Sequence, residues 1–100
     1  SPTYAIVESY DEVRDAAQNR LPVWHFDFYR FKDPLEWEEA GFRDIFAGPG
    51  IKLVEWPEMA ESGLPAADIA ILIIANSDNS RTATVLANSP IGSKVLSALS

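Results

Sequence analysis

An α/β fold with a mixed sheet is what this sequence predicts, and three observations predict it. Two strand-like stretches, residues 23–30 and 51–56, are joined by about twenty residues that hold a helix start, which is the pattern of a βαβ unit with parallel strands and a right-handed crossover. Residues 4–10 form a further β-branched and aromatic stretch that can pair antiparallel with the first of these. Residues 68–75 are a nearly continuous apolar run, as in a strand covered on both faces, and residues 82–87 return after a turn as the second arm of a hairpin.

The elements follow in order. Ser1-Pro2-Thr3 leads directly into the strand at Tyr4 to Tyr10, with no initiator Met and no lead-in, so the chain is expected to start part-way through a longer unit. Residues 11–20 are polar apart from Val13 and two alanines, and make a long loop or a short surface helix. In the next strand, period-two alternation puts Trp24, Phe26 and Phe28 on a core face and His25, Asp27 and Tyr29 on the other, with Arg30 behind them. Asp33 is then a helix N-cap, Pro34 the first helical residue and Glu36 the acid of a capping box; Glu38 and Glu39 add to the favourable charge near the helix start, and Gly41 ends the helix.

Phe42, Ile45 and Phe46 stand at helical spacing in a second short piece and read as core, not as a ligand box, before Gly48-Pro49-Gly50 breaks it. The strand at residues 51–56 is stopped by Pro57. Residues 57–63 make a short helix closed by Gly63, residues 76–79 a turn by composition, and Ser89-Pro90 caps a last helix with a stripe of Ile91, Val95, Leu96 and Leu99.

The chain has 100 residues, almost half of them apolar, which suits one domain over residues 1–100 with a single core. It has no cysteine, so a disulfide framework and a thiolate metal site are excluded, and a soluble intracellular protein is the simplest reading. No apolar run approaches the ~20 residues that span a bilayer, and no signal peptide is visible. Net charge is −7 with scattered bases, which argues against direct binding of a nucleic-acid backbone, since phosphate neutralisation needs a Lys/Arg patch. The acids suit a divalent cation or a basic protein surface.

Asp27 and Glu55 are the strongest chemical pair. Under the βαβ topology both lie at carboxyl ends of neighbouring parallel strands, the edge where open α/β sheets place ligands. One carboxylate there can hold Mg²⁺ through its waters, and a second can orient or deprotonate an attacking water. Trp56 either lies over a base or fills the core. Thr3 is either a turn residue or a hydroxyl that senses a phosphate and joins a Mg²⁺ shell. His25 is the only histidine, so a multi-histidine metal site is excluded. The residues alone also admit a non-enzymatic acidic interaction module, or a stand-alone metal-dependent hydrolase using His25, Asp27 and Glu55.

Ser1-Pro2-Thr3-Tyr4, His25-Phe26-Asp27-Phe28-Tyr29-Arg30 and Leu53-Val54-Glu55-Trp56-Pro57, in this order and at these distances, resemble the TsaE (YjeE) family, with Gly41 to Phe46, the hairpin and the final helix also fitting its arrangement. The resemblance implies a small cytoplasmic P-loop ATPase required for threonylcarbamoyladenosine formation on tRNA, working with TsaD and TsaB, with ATP and Mg²⁺ as cofactors and a P-loop NTPase-like mixed sheet with flanking helices. It implies that Thr3 lies near the γ-phosphate and Mg²⁺, that Asp27 is the Walker-B-type acid of the Mg²⁺ shell, that Glu55 acts on the attacking water, and that Trp56 is the aromatic beside the nucleotide. Tyr29 and Arg30 match motif positions tied to the fold or a partner surface.

The family's phosphate-binding loop, G-x-x-x-x-G-K-[ST], precedes the Ser-Pro-Thr segment and occurs nowhere in these 100 residues. The chain is therefore expected to be the carboxy-terminal portion of such a domain, without the Walker A strand and helix, and inactive toward ATP by itself. That loss is expected to leave the strand of Asp27 with an unpaired edge and apolar surface uncovered, so that the chain needs its missing part or associates with itself.

Overall fold

The computed structural model describes residues 7–29 and 41–99, with the side chains of Glu61 and Ser62 excepted. Thr3, Arg30 and the helix expected between Asp33 and Gly41 fall outside the described residues. The described elements are β1 (Val7–Tyr10), β2 (Val23–Asp27), α1 (Phe42–Ala47), β3 (Ile51–Glu55), a 3₁₀ turn (Pro57–Gly63), β4 (Ile69–Ala75), β5 (Arg81–Ala87) and α2 (Pro90–Leu99). They fall into two compact units, residues 1–65 and 66–100.

In the first unit β1, β2 and β3 form a mixed three-stranded sheet in that order. β1 runs antiparallel to β2, from Val7 opposite Phe26 to Tyr10 opposite Val23. β2 runs parallel to β3, from Val23 opposite Ile51 to Asp27 opposite Glu55. Both pairings are those expected from the strand types and connection lengths, but they overturn the expected unpaired edge on the strand of Asp27: β2 is the central strand, with β1 on one side and β3 on the other. The link between β1 and β2 is a loop closed by an Arg14–Arg20 bridge, with Gln18 at φ 67°. Asp15 Oδ1 shapes its tip by accepting from the backbone N–H groups of Ala17 and Asn19, both at 2.9 Å.

Alternation along β2 sorts its side chains as the sequence predicts. Phe26 and Phe28 are fully buried, and Phe42 from α1 and Ala60 from the 3₁₀ turn complete the buried core, with Val7, Trp24, Ile45, Phe46, Val54 and Leu64 packed against it. The Phe26 ring lies 4.7 Å from Phe46 in a stacked pair and 5.3 Å edge-on to Phe42. Phe42, Ile45 and Phe46 are thus core residues. Lys52 shares the core-side parity of Val54, and its ammonium donates to the Gly48 carbonyl just past α1, so the stem is covered while the charge meets the negative end of the helix.

Gly50 is required where it stands: its φ is +106°, and a Cβ there would lie 2.4 Å from the Pro22 carbonyl oxygen. This close approach lets Ile51 N–H donate to Pro22 O at 2.8 Å and start the parallel ladder.

In the second unit β4 and β5 pair antiparallel over seven positions, Ile69 opposite Ala87 through Ala75 opposite Arg81. Asn79 at φ 70° turns the hairpin, and Asp78 Oδ1 accepts from the Ser80 backbone N–H at 3.0 Å. Ser89 caps α2 by accepting from Gly92 N–H at 3.0 Å, while its hydroxyl donates to Asp68 Oδ1 at 2.6 Å. Pro90 follows as the first helical residue, as the sequence predicts.

One expectation fails in this unit. The apolar run of β4 predicts a strand covered on both faces, yet Ile71, Leu72, Ile73 and Ile74 are 50–62% exposed. The stripe of α2 is open as well at Ile91, Val95 and Leu99, and only Leu96 is half-buried. A two-stranded hairpin has two faces to cover, and one short helix lying against β5 supplies too little surface to cover either. The unit is also electrically balanced. Residues 66–100 hold two acids and two bases, so the whole excess of acids belongs to residues 1–65.

Candidate functional site

The sheet face opposite the phenylalanine core carries His25, Asp27, Leu53 and Glu55, because those positions share parity in the β2–β3 ladder. Asp27 and Glu55 are the last residues of their strands and stand directly opposite each other. The sequence expectation that these two acids share one rim is met. The ladder runs one step further, with Phe28 N–H donating to the Glu55 carbonyl at 3.1 Å, so the backbone is fixed on both sides of the pair.

Each carboxylate has one oxygen engaged by the protein. Asp27 Oδ1 accepts the Tyr29 backbone N–H at 3.0 Å, a local turn that orients the carboxylate at the strand end. Glu55 Oε2 lies 2.9 Å from His25 Nε2, a diagonal contact across the parallel pair with the imidazole 34% and the carboxylate 59% exposed. Among the described residues no donor engages the other oxygen of either acid, which suits further donors such as water in a cation's shell. Among the described residues no three His, Cys, Asp or Glu side chains converge as a metal-binding group, and His25 bonds to Glu55 instead of joining the two acids as a third ligand.

Trp56 does not continue β3. Its backbone turns to φ 57°, ψ 51°, a left-handed conformation that costs a bulky residue about 1–3 kcal/mol. The turn leaves the indole 49% exposed, with its ring 4.9 Å from that of Tyr29, which is 59% exposed. Of the two sequence readings of Trp56, lying over a base or filling the core, the exposed indole rules out the second. Two rings and two carboxylates thus cluster where β2 and β3 end, beside Pro57 and the 3₁₀ turn.

The His25–Glu55 bond and the Tyr29–Trp56 contact were not assigned from the sequence. The first is recoverable from strand parity once the βαβ register is known, since His25 falls on the Asp27 face two residues before the rim. The second depends on the reversal at Trp56, which no local pattern announces. A shallow surface depression of about 370 Å³ is lined by Ser9, Tyr10, Asp11, Glu12 and Val13, and so includes neither rim acid.

Comparison with known proteins gives these residues their setting. A family model described as "Threonylcarbamoyl adenosine biosynthesis protein TsaE" matches residues 1–83. The chain belongs to the TsaE family. It is 38% identical over 100 residues to the tRNA threonylcarbamoyladenosine biosynthesis protein TsaE of Haemophilus influenzae, a match that covers all of this chain and 59% of that relative. The TsaE of Bacillus subtilis is 36% identical over 87 residues, which is 87% of this chain and 50% of the relative. The TsaE of Rickettsia felis is 28% identical over 89 residues, 89% of this chain and 48% of the relative. The chain therefore spans between about half and three-fifths of the length of these TsaE relatives. The span matched to the family contains Thr3, Asp27, Glu55 and Trp56. Among the described residues no helix is long and apolar enough to cross a membrane.

Proposed function

We propose that this chain is the acid-bearing portion of a P-loop-type ATP-binding and ATP-hydrolysing TsaE subunit that supports threonylcarbamoyladenosine formation at adenosine 37 of tRNA in the cytoplasm. The observation that carries the reading is the register of Asp27 against Glu55 at the carboxyl ends of neighbouring parallel strands. A pair of carboxylates with one oxygen each still available suits Mg²⁺, which keeps most of its waters and takes few protein oxygens. Bound there, Mg²⁺ would neutralise charge on the phosphate oxygens of ATP.

The chain's own residues divide the remaining work. Asp27 would hold the hydrated cation, in a carboxylate orientation set by the Tyr29 N–H. Glu55 orients water and accepts its proton, in line with the phosphate. Thr3 adds a hydroxyl to the γ-phosphate and cation region, and Trp56 offers a ring face to the nucleotide. No G-x-x-x-x-G-K-[ST] pattern occurs in the sequence, so the backbone cradle and the lysine for the phosphates are not supplied by these residues. ATP turnover needs that loop beside them. TsaD- and TsaB-like proteins are the proposed partners, and the acidic balance assigns tRNA contact to them. Hydrolysis then switches the partner complex through different contacts in the ATP and product states.

The test joins this chain to a strand, a G-x-x-x-x-G-K-[ST] phosphate-binding loop and a helix placed before Ser1, and measures ATP turnover and tRNA modification with TsaD and TsaB present. Turnover that falls at least a hundredfold in Asp27→Asn and in Glu55→Gln supports the reading, on the scale of general-base contributions of about 10²–10⁴. Turnover indifferent to both substitutions overturns it.

A further inference from the structure

The single histidine of the chain has no part in the proposed chemistry, yet it makes the one side-chain contact described for Glu55. His25 Nε2 stands 2.9 Å from Glu55 Oε2. An ionised carboxylate can only accept, so Nε2 carries the hydrogen and donates it. A second acid was within reach of the same face: Glu8 lies directly opposite His25 in the β1–β2 ladder. Glu8 instead takes the Tyr10 hydroxyl at 3.1 Å, and the imidazole turns to the rim.

We infer that His25 is a positioning residue that holds the Glu55 carboxylate by Oε2, so that Oε1 alone faces the water at the rim. This rests on the reading of Glu55 as the water-orienting acid and adds how that acid is aimed. Glutamate has three rotatable side-chain bonds, and at 59% exposure nothing in the packing around Glu55 would fix them. A hydrogen bond from a β2 side chain does so, because β2 is anchored by the fully buried Phe26, the residue after His25, and by Phe28 just beyond the strand. The bond also sets direction. With Oε2 taken by His25, Oε1 is the oxygen left to act at the rim, where Asp27 stands opposite Glu55 in the strand register.

The inference is tested on the full chain by NMR with uniform carbon and nitrogen isotope labelling. In the wild type, the couplings along the Glu55 side chain should show a single rotamer, and the imidazole nitrogen shifts should place the hydrogen on Nε2. His25→Ala should average the Glu55 rotamers while leaving the backbone amide spectrum of β2 and β3 in place. His25→Gln, whose amide nitrogen can donate from nearly the same position, should restore the single rotamer. A Glu55 side chain that is averaged in the wild type, or as fixed in His25→Ala as before, overturns the inference. Its failure is separable from failure of the ATPase reading: Mn²⁺ added to the same sample reports on the cation site through relaxation of the Asp27 carboxyl carbon. A Glu55 released only by His25→Ala, in a chain where Mn²⁺ leaves Asp27 untouched, supports the positioning role and overturns the functional reading alone.

Discussion

Replacing Phe26 by alanine removes the residue on which both the core and the rim depend. The ring is fully buried, stacked at 4.7 Å on Phe46, edge-on at 5.3 Å to Phe42 and 5.7 Å from Phe28. Buried Phe→Ala changes cost about 3–5 kcal/mol in lost transfer energy and cavity, and the aromatic contacts place this site in the upper part of that range. A domain of this size has a total stability of roughly 5–15 kcal/mol, so the substitution removes about a quarter of it or more. Leu53→Ala is the matched control. Leu53 lies on the neighbouring strand but on the open face, 53% exposed, and its loss should cost no more than about 1 kcal/mol. Urea unfolding followed by tryptophan fluorescence reads both, since Trp24 packs against the same cluster. Equal destabilisation by the two substitutions would refute the assignment of the core to one face of the sheet.

Further expectations concern the backbone, the hairpin and the nucleotide. Gly50→Ala should destabilise by more than about 1 kcal/mol in a thermal melt, because its Cβ would meet the Pro22 carbonyl oxygen at 2.4 Å at a φ of +106°. The Asp78 carboxyl is held below its ordinary value by the Ser80 hydroxyl first and the Ser80 backbone N–H second. The turn's contribution is therefore fully present above the unfolded carboxylate pKa and is lost as pH falls through the lower folded value; faster Ser80 amide exchange in acid, corrected for intrinsic rates and absent in Asp78→Ala, would show it. The uncovered apolar surface of β4 and the balanced charge of residues 66–100 predict self-association at high concentration, which Ile73→Lys should reduce in sedimentation. Calorimetric titration with ATP–Mg²⁺ should give no tight binding by this chain alone, and micromolar affinity would refute the need for a phosphate cradle that these residues do not supply.

The parts of the fold legible in the sequence are those set by periodicity and connection length. Alternation along β2 separates Phe26 and Phe28 from His25 and Asp27 without any knowledge of the sheet, and the length of the following segment demands a parallel partner, which brings Glu55 to Asp27. Coverage is a different matter. The run Ile71-Leu72-Ile73-Ile74 states that β4 favours burial but not what lies against it, and these residues stand exposed here. Trp56 was hidden for a local reason: β3 ends one residue early and a left-handed turn swings the indole onto Tyr29, where strand parity would have assigned it to the core side. The hold of His25 on Glu55 is a diagonal contact, invisible until the register is fixed.

Carbon relaxation of the carboxyl groups during titration with Mn²⁺ tests most directly whether Asp27 and Glu55 serve one cation. The account predicts that these two carbons broaden together at the lowest Mn²⁺ concentrations, ahead of surface acids such as Glu12, Asp44 and Glu58. Broadening of Asp27 without Glu55, or uniform broadening of all the acids, would contradict it.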